Sequence, residues 1–170
     1  MTMWIDISLS GILCIIAYQD LRFRAIHWIT LPSLFALLLF RAIINIPFTE
    51  LAVEIMQNLL FVGLQIGILF IYVLFHFRQP NKFFVKFLGF GDVLFLIVIT
   101  VGFITSNFIL FLTSGYMIAV LSYSFIRIWN KKQITIPLAG ILAIFLVCFL
   151  FVDNTLDTSL FYSPIIPIVR

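Results

Sequence analysis

Apolar residues run along this chain in long, nearly unbroken stretches separated by short polar gaps, and that pattern predicts six helices. The candidate spans cover residues 4–19, 26–44, 55–77, 87–105, 108–128 and 134–152. A helix needs roughly 20 apolar residues to cross a hydrocarbon layer of about 30 Å, and these runs approach or meet that length. Inside a bilayer every backbone polar group must be satisfied within its own segment, so such runs fold as helices and not as isolated strands. The expected fold is therefore all-α: a polytopic membrane helix bundle forming a single domain over residues 1–170, with no internal repeat and no low-complexity linker.

Composition strengthens this reading. Of 170 residues, 64% are hydrophobic and only 10% charged, whereas a soluble domain carries about a quarter charged residues to cover its wet surface. The 21 phenylalanines suit lipid-facing and helix-packing surfaces and carry no chemical message of their own. Cys14 and Cys148 each sit alone in an apolar run, which speaks against a disulfide framework or a structural zinc site. His27 and His76 have no metal-ligand spacing, so neither a metal nor another cofactor is expected, and no nucleic-acid partner.

Charge adds an orientation. The connections after spans one, three and five hold Arg22, Arg24, Arg78, Lys82, Lys86, Arg127, Lys131 and Lys132, eight of the ten basic residues. The other side receives Arg41 and Arg170 with Asp6, Glu50, Glu54, Asp153 and Asp157, five of the seven acids. Basic loops stay in the cytoplasm, so both termini are expected outside a cytoplasmic (inner) membrane. Lys82 and Lys86 suit contact with anionic lipid. The first span lacks a basic start and a small-x-small cleavage pattern, and is expected to be retained. The stretch Ser10-Gly11-Ile12-Leu13-Cys14 is only loosely like a lipoprotein signal.

Two acids break the pattern. Asp20 ends the first span and Asp92 begins the fourth, both on the basic side, so packing of those spans would bring two carboxylates to one depth. Taken singly, Asp20 reads as a boundary residue paired with Arg24 one turn on, and Asp92 as the N-cap of the fourth helix. Gly89 and Gly91 allow a turn or a close approach of chains. Gln19 is placed to orient Asp20 or to fill an interface, and Gln57, Asn58 and Gln65 suit interhelical hydrogen bonds.

Three segments together carry a resemblance: Tyr18-Gln19-Asp20-Leu21-Arg22-Phe23-Arg24-Ala25-Ile26, Gly89-Phe90-Gly91-Asp92-Val93, and Ile134-Thr135-Ile136-Pro137-Leu138-Ala139. In order and spacing the chain resembles, over nearly its whole length, the type IV prepilin peptidase family, including the preflagellin peptidases, which are membrane aspartyl proteases with a GxGD motif. The resemblance implies that Asp20 and Asp92 are the catalytic pair, that Gly89 and Gly91 support the motif, and that Gln19 and Arg24 orient a carboxyl or contact substrate. It implies an aspartic endopeptidase working at the cytoplasmic face, with one carboxyl ionised and the other protonated. The substrate would be a prepilin-like protein with a basic leader, commonly cut after glycine, and a hydrophobic helix.

The chain departs from the family in reading Ile26-His27-Trp28 where Ile-Pro-Asn is common, and Val93-Leu94-Phe95 where Val-Lys-Leu is common; these positions bear on substrate preference. The cysteine-paired insert of the bifunctional members is missing, which implies peptidase activity without methylation. Two other classes stay open at this stage: a small proton- or cation-coupled transporter, which needs further acids at mid-membrane depth, and an inactive scaffold, which would tolerate loss of both carboxyls.

Overall fold

The computed structural model of the chain describes residues 3–77, 89–129, 137–155 and 160–163. Arg78, Lys82, Lys86, Lys131, Lys132, Asp157, Arg170, the Arg127 side chain and residues 134–136 of the third motif segment lie outside the described residues. Among the described residues six α-helices follow in order: α1 (Met3–Phe23), α2 (Thr30–Asn45), α3 (Phe48–Phe77), α4 (Phe90–Ile99), α5 (Thr105–Trp129) and α6 (Leu138–Thr155). The fold is an all-α membrane bundle, and α1, α3, α5 and α6 are long and apolar enough to cross a membrane. Proline marks helix starts, with Pro47 and Pro137 each standing just ahead of a first turn.

The core is built around α1, which packs most extensively against α6 and then α2. Its buried residues, Ile5, Asp6, Leu9, Leu13, Ile16, Ala17 and Asp20, recur every three or four positions and form one stripe. The facing stripe of α6 is Ala139, Gly140, Leu142, Ala143, Leu146, Leu150 and Asp153. Small residues at one end of this contact, Ala17, Ala139, Gly140 and Ala143, let the two backbones approach closely. By contrast α3 is peripheral and turns Leu60, Leu64, Ile68, Ile71 and Phe75 outward.

The α1 stripe carries an aspartate near each end, and the α6 stripe ends on Asp153. Asp6 and Asp20 are separated by about 21 Å along α1 at 1.5 Å per residue. At the Asp6 end, Arg41 of α2 donates from Nε to Asp6 Oδ1 at 2.8 Å and from Nη2 to Asp153 Oδ2 at 2.7 Å. The guanidinium lies over the Phe161 ring, 4.1 Å from its centre. Asp153 Oδ1 in turn accepts from Leu160 N–H, so the ion cluster also holds the segment after α6. Asn107 Nδ2 donates to Leu160 and Ser163 carbonyls, and Ile104 N–H to the Phe161 carbonyl. Phe161 is thereby held stacked on Phe103 and edge-on to Phe149.

The fourth span is not the continuous helix over residues 87–105 that its apolar run predicts. Among the described residues α4 has one α-helical stretch of ten residues, followed by a 3-10 turn at Thr100–Gly102 and an extended Phe103. Together they rise roughly 21 Å, short of a bilayer core. The break is stabilised from α3: Asn58 Nδ2 donates to both the Thr100 and Phe103 carbonyls, and Glu54 Oε2 accepts from Thr105 N–H. Gln57 Oε1 accepts from the Thr105 hydroxyl and Gln65 Oε1 from the Tyr116 hydroxyl, so the polar residues of α3 do make interhelical hydrogen bonds.

The ion cluster gives a prediction. Removing the cation alone leaves two buried carboxylates facing each other, so Arg41→Met is expected to cost about 3–5 kcal/mol of unfolding free energy. Denaturant unfolding in detergent checks it, and a loss below about 1 kcal/mol would contradict the cluster's role.

Candidate functional site

At the other end of the α1–α6 contact the two sequence-predicted aspartates come together. Asp20 lies within the last turn of α1, which runs on to Phe23 instead of ending at Gln19. Its Oδ2 accepts from the Gly140 N–H at 2.6 Å. Asp92 is the third residue of α4, and its Oδ1 accepts from the Ala139 N–H at 2.9 Å. Both donors belong to the first turn of α6, whose N–H groups have no partner within their own helix. Adjacent backbone nitrogens of a helix lie roughly 3 Å apart, so these two bonds keep the accepting oxygens within about 8 Å of each other. The carboxyls are close enough to act on one another electrostatically.

Asp92 is not the N-cap expected from its position after Gly89-Phe90-Gly91. The N-cap is Gly89, and no side chain caps the helix there. Both motif glycines answer to space and not to backbone conformation: Gly89 has φ −64° and ψ 140°, which any residue adopts. A Cβ at Gly89 would lie 2.8 Å from Asp92 Oδ2. At Gly91 it would touch the Ile26 side chain at 3.4 Å, in the connection between α1 and α2. Gly91 thus packs α4 against the chain just beyond Asp20, and Gly89 leaves room for the Asp92 carboxyl.

Gln19 and Arg24 act on the same connection. Gln19 Oε1 accepts from His27 N–H at 2.9 Å, which fixes the start of the α1–α2 link instead of reaching Asp20. Arg24 is not a helical neighbour of Asp20: it leaves α1 with φ 53°, the left-handed region, while its N–H donates to the Asp20 carbonyl at 3.0 Å. For a residue with a Cβ that conformation costs about 1–2 kcal/mol. The charge of Arg24 still acts on the Asp20 carboxylate.

One wall of the site comes from α3. Val73 is buried against Val93 and Leu138, which adjoin Asp92 and Ala139 in sequence. Just beyond, a cavity of about 370 Å³ is lined by Gln65, Leu69, Leu96, Tyr116 and Leu138. Leu96 stands one helical turn after Asp92, so this apolar space begins beside the carboxyl pair. Among the described residues no group of three or more His, Cys, Asp or Glu side chains is placed to hold a metal ion.

Sequence reasoning named both acids but missed their common partner. The donors at 139 and 140 are backbone groups, and the one signal for them is Pro137 followed by small residues, marking a helix start that can approach other chains closely. Comparison with protein-family models, curated proteins and solved structures gives no match to this chain.

The fit of Gly89 to Asp92 can be tested apart from any activity. Gly89→Ala is expected to cost about 1 kcal/mol by forcing Asp92 from its rotamer, and most of that cost should vanish in an Asp92→Ala background. Equal costs in both backgrounds, by denaturant unfolding, would contradict the contact.

Proposed function

We propose that this chain is a membrane aspartic endopeptidase that removes the leader of prepilin-like proteins at the cytoplasmic face of the inner membrane. The observation that carries the reading is the convergence of Asp20 and Asp92, from α1 and α4, on adjacent N–H groups of α6. The three sequence segments that resemble the prepilin peptidases contribute Asp20, Asp92 and Ala139 to this one constellation. The basic connections on the same side as the pair put it toward the cytoplasm by the positive-inside rule, with both termini outside.

The chemistry follows from two carboxyls in unlike states. The ionised one takes a proton from a water molecule, whose oxygen attacks the scissile carbonyl carbon. The protonated one donates to the carbonyl oxygen and stabilises the tetrahedral intermediate. Collapse of that intermediate breaks the C–N bond, and a proton passes to the leaving amine. Asp20 spends Oδ2 on an α6 amide and keeps Oδ1 for water or substrate, whereas the Asp92 carboxyl is held by the Ala139 N–H and by the Gly89 backbone. The adjacent apolar pocket, open on one side, has room for a few side chains of the hydrophobic helix that follows a prepilin leader.

A transporter reading needs polar groups linking the two acid clusters. Between Asp6 and Asp20 the α1 stripe is Leu9, Leu13, Ile16 and Ala17, faced by Leu142, Ala143, Leu146 and Leu150 of α6. That apolar interval supports the peptidase over a conducting path, and an inactive scaffold would have no need of the paired carboxyls.

Co-expression with a prepilin-like substrate tests the proposal: Asp20→Asn and Asp92→Asn are each expected to lower leader removal at least 100-fold while the protein stays in the membrane. Processing at the parental rate in either variant would reject the pair as the catalytic centre.

A further inference from the structure

We propose that Gly140, outside the GxGD segment, is the positioning residue for Asp20, as Gly89 is for Asp92. The chain has eight glycines, and they fall into distinct groups by what an added Cβ would meet. Gly11, Gly63 and Gly67 have open space around them. Gly91, Gly102 and Gly115 face aliphatic side chains, Ile26, Leu38 and Leu142 respectively. Only Gly89 and Gly140 face carboxyls: at Gly140 the Cβ would stand 3.0 Å from Asp20 Oδ2, 3.2 Å from Asp20 Cβ and 3.3 Å from Leu21 Cγ.

Nothing in the backbone asks for glycine at 140. It lies in the first turn of α6, no glycine among the described residues has a positive φ, and alanine is the better helix former. What glycine supplies there is proximity, because its N–H and its bare Cα meet the same aspartate. The contact with Asp20 Cβ matters most. A carboxyl oxygen can rotate away from an added methyl, but the Cβ moves only with α1 itself. An alanine at 140 therefore pushes the end of α1 away from α6, lengthens the hydrogen bond to Asp20 and leaves the Asp92–Ala139 bond in place. The two carboxyls then change their separation, and hydrolysis by a carboxyl pair is sensitive to displacements of this order.

The kinetic part of this inference rests on the peptidase reading; the geometric part does not. Gly140→Ala is compared with Gly115→Ala, which crowds the same helix at Leu142 without touching either aspartate. Infrared difference spectra against Asp20→Asn isolate the Asp20 carboxyl band in reconstituted protein, and leader removal supplies kcat and KM. Gly140→Ala is expected to shift the Asp20 band and lower kcat at least tenfold at similar KM, whereas Gly115→Ala leaves the band in place. An unmoved band in Gly140→Ala, or equal shifts in both variants, would overturn the role of Gly140. A parent protein that cleaves no prepilin defeats the peptidase reading instead, and the infrared comparison still decides whether Gly140 positions Asp20.

Discussion

A carboxylate withdrawn from water must be given donors or a counter-charge, and α1 carries such a group near each end of its buried stripe. Asp20 is 6% exposed and Asp6 4%. Left unsatisfied, either would cost several kcal/mol. Both are answered with the help of α6, by opposite means. At one end the answer is the unused N–H of a first helical turn; at the other it is Arg41, which also takes Asp153 from the far end of α6. The antiparallel α1–α6 contact is thus fastened at both ends by polar bonds, with aliphatic packing between them. A helix that slid or rotated by one residue would lose both fastenings at once.

This arrangement explains why the fourth helix can be short. Asp92 reaches the same turn of α6 as Asp20, so α4 begins beside the α6 N-terminus, and Asn58 and Glu54 on α3 satisfy the backbone where α4 stops. The extra polar residues of α3 are expensive in an apolar helix, and they are placed where the chain between α4 and α5 would otherwise expose carbonyls and an N–H. Glycine serves the same economy of space at the pair, where backbone donors and carboxyls must lie closer than an intervening methyl allows.

The helices were legible from runs of apolar residues, and the shared depth of Asp20 and Asp92 from which connections hold the basic charges; that the two meet depended on spans one and four packing together, and their pairing was what the resemblance implied. Other features have no such signal. Arg41 and Asp6 read as interfacial charges, since a span boundary uncertain by a few residues cannot distinguish a charge at the surface from one buried between helices. The end of α4 was invisible because only Thr100 and Gly102 interrupt the apolar run over residues 93–104, and the Asn58 side chain that stabilises the break comes from 42 positions earlier. Gln19 looked like a partner of its neighbour Asp20, yet it turns to His27 eight residues away. The amides of Ala139 and Gly140 carry no side-chain signature at all.

Proximity of residues 20 and 92 is the claim on which the site stands, and thiol cross-linking in native membranes measures it directly. Asp20→Cys and Asp92→Cys are combined in a chain whose Cys14 and Cys148 are replaced by alanine, and treated with a bifunctional thiol reagent spanning about 8 Å or less. The account predicts that the reagent joins the two positions within one chain, detected as a linked peptide pair after proteolysis, whereas a control pair at residues 6 and 92 stays unlinked. Efficient modification of both cysteines without any cross-link would contradict it.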